Sequence, residues 1–574
     1  MKHSLVAIAC LVAFTSSDTF SQESFSTKRQ VNANTAAGRF RHPFAMVLGP
    51  DDSLWITERR GYVTRMNRVN GGKTELLNIR SLVRFTSSGS SIKQDGMFGI
   101  ALHPELFTAG RNFVYLAYTY DSSGSRRVKI VRYTYNRSVP SLTGEVTLVR
   151  GIPGSDDHNG GKLVIANFGT KSTPDYKLIY SCGDRGANQF GNSCDSIQSQ
   201  YIPTTAQIAA GNKTRYNGKI LRINLDGSIP SDNPDFGGIG RSHVWSIGHR
   251  NPQGLALERD ASNEIVPNGK IYSSEQGPAT NDEVNIIDGG KNYGWPRVAG
   301  KRDNVWYKYY QWSNNGSCSS YPGECSSTQT TSGLQENSFS LGAHTNPIFD
   351  LYPGTPSGGS GCNWLTNPTL APSSIVVYPF ANKIPGWENS LLISTLKSSA
   401  VYRLKLNASR DGSLSVSDSV IRYFKESALN RYRDIVIAND GITFYLLTDS
   451  VGGTSGPSAG FDGGITNRGS VVEYVYTGAL LALGDDEQSG AERNVNFRLY
   501  PNPTSKLLQI EARRNVSKPI RYIFYDASGK QVLNGSSNSD RFTINVGSYQ
   551  AGMYSVKIFN GRDVLMLTEK VIIK

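Results

Sequence analysis

Short runs of β-branched and aromatic residues, many alternating with polar ones, recur from about residue 38 to residue 477. Ser53-Leu54-Trp55-Ile56-Thr57-Glu58, Phe113-Val114-Tyr115-Leu116-Ala117-Tyr118 and Val128-Lys129-Ile130-Val131-Arg132-Tyr133 are examples, each bounded by Gly, Asp, Asn or Ser. No long segment here carries a clean helical period. Several units share one form, an Asp/Gly turn followed by an aromatic–apolar strand. Gly49-Pro50-Asp51-Asp52-Ser53-Leu54-Trp55 and Asn439-Asp440-Gly441-Ile442-Thr443-Phe444-Tyr445 both show it. Recurrence every several tens of residues predicts an all-β fold with propeller blades of four strands each. Residues 302–362 break the pattern, being rich in Ser, Gly, Asn and Tyr. They read as an insertion or long loop, the kind of segment that carries specificity on a rigid scaffold.

Near Gly478 the blade pattern stops. Residues 478–494 read as a linker with an acidic cluster, Asp485-Asp486-Glu487. Residues 495–574 then carry a second, smaller β pattern: Leu507-Leu508-Gln509-Ile510, a hairpin turn at Asp526–Gly529, Gly552-Met553-Tyr554-Ser555-Val556-Lys557-Ile558 and a closing Val571-Ile572-Ile573-Lys574. This predicts a small β-sandwich. At the other end, Met1-Lys2-His3 precedes an apolar run from Leu5 to Phe14. That run is about half the ~20 residues a membrane-spanning helix needs, so residues 1–22 read as a signal peptide. The expected mature protein is exported and soluble.

Charge and cysteine content narrow the chemistry. The formal net charge is +13, but the basic residues are scattered and the chain is expected outside the cytoplasm, which fits nucleic acid poorly. A sharper reading is that a few cations face a polyanionic cofactor. After export Cys182, Cys194, Cys318, Cys325 and Cys362 remain. An oxidising compartment permits bridges, and close spacing favours Cys182–Cys194 and Cys318–Cys325 without fixing the connectivity. None has partners at zinc spacing.

Of the seven histidines, His42, His103, His243, His249 and His344 read as packed, hydrogen-bonded side chains. His158 differs. It lies in Ser155-Asp156-Asp157-His158-Asn159-Gly160-Gly161-Lys162, after two carboxylates and before two glycines that lead into a strand. A histidine so placed can be held in a cleft as a base, with an adjacent carboxylate to orient it. Arg431 and Arg433 are two apart, so an extended strand would point both to one face. No serine elbow, Walker loop or dinucleotide fingerprint competes with these features.

Three further runs complete a pattern: Gly248-His249-Arg250-Asn251-Pro252-Gln253-Gly254, Ser274-Glu275-Gln276-Gly277-Pro278 and Asn292-Tyr293-Gly294-Trp295-Pro296. In this order, with Asp157-His158-Asn159-Gly160-Gly161-Lys162 before them and Asn430-Arg431-Tyr432-Arg433-Asp434 after, the chain over residues 38–477 resembles the soluble quinoprotein glucose dehydrogenases. The resemblance implies a six-bladed β-propeller that uses pyrroloquinoline quinone (PQQ) and calcium to oxidise an aldose at C1 and passes electrons to an external acceptor. It makes His158 the base. It places Arg250 and Asn251 near the reactive carbonyl, Lys397, Arg431 and Arg433 at cofactor carboxylates, and Thr369 against the cofactor. Gln94 and Asp157 fall at the sugar. The carbonyls of Gly277 and Pro278 would hold the catalytic calcium. Glu283, Tyr293, Ala299, Lys301, Asp303 and Glu336 would form a second, structural calcium group. Lys301 departs from the family, which has a tyrosine there. So does the sugar pocket: Arg185 replaces a glutamine, while Trp364 and Asn367 stand where a tyrosine and a tryptophan cover the sugar. These departures leave the preferred sugar open. Residues 495–574 resemble the C-terminal sorting domains of the type IX secretion system through Tyr500-Pro501-Asn502-Pro503 and Tyr525-Asp526-Ala527-Ser528-Gly529-Lys530. This implies passage through the periplasm to the cell surface or medium, with the secretion machinery as a partner. A second copy of the chain, as a homodimer, is also counted among the partners, and nucleic acid is not. A calcium-dependent propeller lactonase and a non-catalytic sugar-binding propeller are the alternative readings.

Overall fold

The computed structural model describes residues 23–29, 38–88, 91–108, 110–187, 192, 195–278, 280–304, 308–309, 334–351, 369–410, 412–413, 420–425, 430–450, 467–478, 497–512, 516–526, 530–561 and 565–574. The expected signal peptide, nearly all of the expected linker, Trp364 and Asn367 lie outside them, as do Cys194, Cys318, Cys325 and Cys362. Within them the chain is all-β with almost no helix. It divides into two compact units, residues 1–480 and 481–574.

The first unit contains six antiparallel four-stranded sheets. Their first strands are β1 (Pro43–Leu48), β2 (Met97–Leu102), β3 (Gly160–Asn167), β4 (Pro252–Leu257), β5 (Pro372–Tyr378) and β6 (Tyr432–Ile437). Each packs on the next, and β6 packs back on β1. The second strands Ser390–Thr395 and Thr443–Thr448 are buried at every position, on both faces. That explains why they read as unbroken apolar runs rather than alternating ones. Exposure differs among the outermost strands: Lys73–Asn78 is mostly exposed, whereas Val244–Ile247 and Phe349–Leu351 are mostly buried. The sixth sheet is completed from the other end of the chain, by Phe25–Arg29 pairing with Val471–Tyr476. The Phe25 ring anchors this strand among Trp387, Tyr423, Phe424, Phe444 and Tyr476.

One local feature repeats in all six sheets. Pairing between the first and second strands slips within the first few residues of the first strand. Such bulges re-aim side chains and are common beside active sites. The residues at or just before these slips are His42, Gln94, His158, Arg250, Thr369 and Arg431.

In the second unit a three-stranded sheet (Phe497–Tyr500, Leu507–Ala512, Arg541–Asn545) accompanies a four-stranded one (Ile520–Tyr525, Gln531–Ser537, Gly552–Phe559, Leu565–Ile573). Leu508, Ile510 and Ile544 of the first join Ile520, Phe524, Val556 and Val571 of the second in one buried cluster.

One expectation is corrected in the first unit. Cys182 is a free, buried thiol and does not make the bridge that spacing favoured. It lies inside the strand Tyr176–Cys182, where burial pushes the thiol up to about 12. Its Sγ is 3.7 Å from Asn217 Nδ2.

Candidate active site

His158 sits on the loop leading into β3 with a positive φ of 40°. The loop is held from beneath by Asn159, whose side-chain amide donates to the carbonyls of Gln94 and Ser155 (both 2.8 Å). His158 is buried, and its Nδ1 lies 2.9 Å from Asp184 Oδ1. The orienting carboxylate is therefore Asp184, not the neighbouring Asp157, whose Oδ1 is 3.8 Å from Nε2. Asp157 is engaged elsewhere: its Oδ1 accepts from Gln94 Nε2 (2.5 Å) and from the His158 amide (3.1 Å). Gln94 Oε1 in turn lies 3.4 Å from Gln253 Nε2, and Asn251 Nδ2 donates to Gln276 (3.1 Å). Gly183 is required here. A Cβ at that position would lie 2.1 Å from the His158 carbonyl oxygen. Arg185 stands next to this pair, but its guanidinium binds Asp195 at 2.5 Å.

Across the ring of first strands lies a cationic group. Arg431 and Arg433 flank Tyr432 at the start of β6, and both are buried. Arg433 Nη2 binds Asp449 Oδ2 at 2.6 Å and its Nη1 donates to Gln253 Oε1 at 3.0 Å. Arg431 Nη2 is 3.7 Å from the same Asp449 oxygen. A third buried arginine, Arg59, shares the Phe44 ring with Arg433, at 5.2 and 5.7 Å. Burial would raise the Asp449 carboxyl, but Arg433, Arg431 and Arg59 outweigh it and hold it down at about 2. Burial, and then Arg433, push Arg59 down to about 10. Three guanidinium groups thus share one carboxylate, and the Nε atoms of Arg59 and Arg433 have no hydrogen-bond partner among the described residues. Such a group fits an anionic ligand with several carboxylates. His42, facing the same acid, is pushed by burial to about 4 and is neutral. Its Nδ1 bonds Ser450 and its ring stacks on Phe85.

This arrangement sets a prediction. Asp449→Asn would leave three buried cations facing one another. The cofactor-free protein is expected to lose about 3–5 kcal/mol of stability. A polycarboxylate ligand of this group, with PQQ as the probe, should then raise its Tm more than it raises that of the wild type. Equal thermal shifts in the two proteins would contradict the assignment.

The remaining residues fall on β4, β5 and the loops beside them. Lys397 Nζ donates to Thr369 Oγ1 at 2.9 Å. Arg250 Nη1 donates to the carbonyls of Gly277 (2.7 Å) and Gln276 (3.2 Å), so these carbonyls already face a cation. Asp282 ties this loop to the Thr369 segment, accepting from the amides of Gly277 (2.9 Å), Leu370 (2.6 Å) and Ala371 (3.1 Å). Burial raises Asp282 to about 6 despite these bonds.

Acidic groups gather on the outer side of the fourth sheet. Glu283 and Asp350 are direct cross-strand partners, an arrangement of like charges that is unfavourable without a cation. Burial, then Glu275, drive the Glu283 carboxyl well above the usual range, and burial raises Asp350 and Glu336. Asp350 Oδ1 has no partner among the described residues. The amides of Gly300 and Lys301 point at Glu283 and Asp350 (2.7 and 3.1 Å), and those of Ala299 and Asn304 at Glu336 (3.4 and 2.9 Å). The Lys301 side chain and Asp303 are exposed. The Tyr293 hydroxyl donates to the Ile286 carbonyl. Pro278 is half-buried beside Gly277. Among the described residues no three His, Cys, Asp or Glu side chains are gathered to hold a metal alone. A cation here would draw on carbonyl oxygens as well, as calcium does.

Four contributors were not singled out by sequence reasoning: Asp184, Arg59, Asp449 and Asp350. Asp184 had a visible signal, since it occupies the Gly183-Asp184-Arg185-Gly186 turn. The others had none: Arg59 meets Arg433 of a different sheet, while Asp449 and Asp350 meet Arg433 and Glu283 only through strand pairing within one sheet.

Comparison with known proteins gives a consistent set of matches. Residues 40–315 and 357–455 match the family model described as glucose/sorbosone dehydrogenase, and residues 498–574 match that of a secretion system C-terminal sorting domain. The chain is 35% identical over 452 residues to quinoprotein glucose dehydrogenase B of Acinetobacter calcoaceticus, covering 76% of this chain and 88% of the relative. It is 24% identical over 431 residues to the aldose sugar dehydrogenase YliI of Escherichia coli K12, covering 74% and 91%. The solved apo-form of the soluble aldose sugar dehydrogenase from Escherichia coli superposes with a TM-score of 0.51 at 22% identity, covering 79% of this chain and 100% of that one, a likeness of fold.

Proposed function

The chain belongs to the glucose/sorbosone dehydrogenase family, and from this premise we propose that it oxidises an aldose at C1 to the lactone, with PQQ and calcium as cofactors and His158 as general base. The observation that carries the reading is the His158–Asp184 pair, held at 2.9 Å, in the same ring of strand starts as three buried arginines around one carboxylate. With Nδ1–H donated to Asp184, the lone pair of the imidazole is on Nε2. Nε2 accepts the C1 hydroxyl proton, a role that general bases fill with gains of ~10²–10⁴. Asp184 stabilises the imidazolium that results. Bound PQQ would supply the quinone that takes the C1 hydride, polarised by calcium as a Lewis acid.

The protein's own residues do the rest. Arg431, Arg433 and Lys397 neutralise cofactor carboxylates, with Arg59 as a further cation. Arg250 and Asn251 lie toward the reactive carbonyl, and Thr369 is fixed by Lys397. Gln94 and Asp157, hydrogen-bonded to each other, meet the sugar hydroxyls. The carbonyls of Gly277 and Pro278 hold the catalytic calcium. Glu283 and Glu336, joined by Asp350, hold a second ion together with oxygens from Tyr293, Ala299, Lys301 and Asp303. Six sheets whose first strands close on one another support a six-bladed propeller. The single core shared by two sheets supports a β-sandwich sorting domain at residues 495–574, which addresses the enzyme to the type IX machinery and the cell surface or medium. Electrons pass to an external acceptor.

Chelation tests this reading. Removing calcium is expected to abolish sugar oxidation, and adding calcium to restore it better than magnesium, which demands a small octahedral site. Full activity in a verified calcium-free preparation would contradict it.

A further inference from the structure

The Asn292-Tyr293-Gly294-Trp295-Pro296 run brings a second buried aromatic to the site besides the tyrosine already considered. Trp295 is 7% exposed. Its indole Nε1 donates to Asp184 Oδ2 at 2.8 Å. The other oxygen, Oδ1, receives His158 Nδ1 (2.9 Å) and the Gly186 amide (2.8 Å). Both oxygens of the carboxylate are thus fixed. Without the indole donor, only Oδ1 would hold Asp184 in place, and the carboxylate would be able to rotate away from the imidazole. The Trp295 ring also lies 5.3 Å from the Arg250 guanidinium carbon, and Arg250 Nη1 reaches the Gly277 carbonyl.

The loop that carries Trp295 is locked. Asn292 and Gln200 exchange side-chain amide bonds of 2.9 and 2.8 Å. Gln200 Nε2 also donates to the Trp295 carbonyl at 2.7 Å, and the Trp295 amide donates to the Gly248 carbonyl at 3.0 Å. Gly294 has a φ of 94°, and a Cβ there would lie 2.9 Å from Val298 Cβ. The backbone is therefore built to aim one indole at one carboxylate.

We propose that Trp295 is a positioning residue for the oxidation: through Asp184 it holds His158 in its proton-accepting orientation, and its ring seats Arg250. The inference rests on His158 being the base.

Two substitutions separate this role from packing. Trp295→Phe keeps most of the apolar volume and loses the N–H. Trp295→His loses volume but keeps an Nε2–H at the ring position that corresponds to the indole Nε1. With PQQ and calcium bound, kcat is expected to fall about 10- to 100-fold in Trp295→Phe, the size of loss seen when an outer partner of a functional histidine is removed. KM should change by only about two-fold. Trp295→His should retain more activity than Trp295→Phe. A PQQ titration of each variant reports whether the site is folded. Placed on His158→Gln, Trp295→Phe should cause no additional loss, because it acts through the missing imidazole. The reverse order of the two variants, wild-type kcat in Trp295→Phe, or the full loss repeated in the His158→Gln background would overturn the inference while leaving the base assignment standing. Sugar oxidation that survives His158→Gln would overturn the base assignment, and this inference with it.

Discussion

His158→Gln is expected to lower kcat for sugar oxidation by at least ~10²–10⁴, the contribution of a positioned general base. The cofactor should still bind. The argument is geometric. Asp184 fixes Nδ1 at 2.9 Å, so Nε2 is the nitrogen left for the substrate proton, and the glutamine side chain cannot take that proton at neutral pH. His158 precedes β3, whereas Arg431 and Arg433 lie at the start of β6, so PQQ affinity should change little. Steady-state kinetics with a dye acceptor, alongside a PQQ titration, separates the two effects. Unchanged turnover in the variant would remove His158 from the chemistry. A parallel loss of PQQ binding would show that its role is structural.

Arg433→Ala should weaken PQQ binding by about 2–5 kcal/mol, the cost of removing one partner from a buried charge pair. That corresponds to roughly a thirty- to several-thousand-fold rise in Kd. The fold should tolerate the change, because the loss relieves repulsion toward Arg59 and Arg431 while Asp449 keeps both as partners. Lysine at this position should give an intermediate affinity, since it keeps the charge but not the planar fork. A titration of Arg433→Ala that overlays the wild-type curve would refute a role at the cofactor.

What could be read from the sequence follows the range of the interactions. Strand character was legible because it is local: Thr443-Phe444-Tyr445-Leu446-Leu447-Thr448 is β-branched and aromatic, and a central buried strand needs nothing else. The all-β class followed from repetition of such runs. His158 and Arg250 stood out because each sits two residues before a glycine or proline that opens a strand, where a bulge forms and a side chain is re-aimed, and Arg431 because it lies two residues from Arg433. Arg59 was not legible. Its turn, Glu58-Arg59-Arg60-Gly61, is an ordinary hairpin in sequence, and it meets Arg433 only because β6 packs back on β1. Asp449 and Asp350 were missed because they meet Arg433 and Glu283 through pairing of strands within a sheet, whose register neither strand shows alone. Asp184 lies closer, yet the carboxylate adjacent to His158 in sequence drew attention away from the one adjacent in space. Spacing also misled at Cys182, whose thiol is buried and free. Arg185 shows a further limit: its place in the loop was evident, but its pairing with Asp195 was not.

The central claim is that this site carries a PQQ cofactor that a sugar reduces. The most direct measurement is a spectrum of the full chain loaded with PQQ and calcium, mixed anaerobically with glucose and then with other aldoses. The account predicts that bound quinone absorbance is lost as sugar is oxidised, one equivalent per site, and returns when an electron acceptor is added. PQQ that binds but stays oxidised with every aldose, or sugar oxidation that proceeds equally in a PQQ-free preparation, would contradict it.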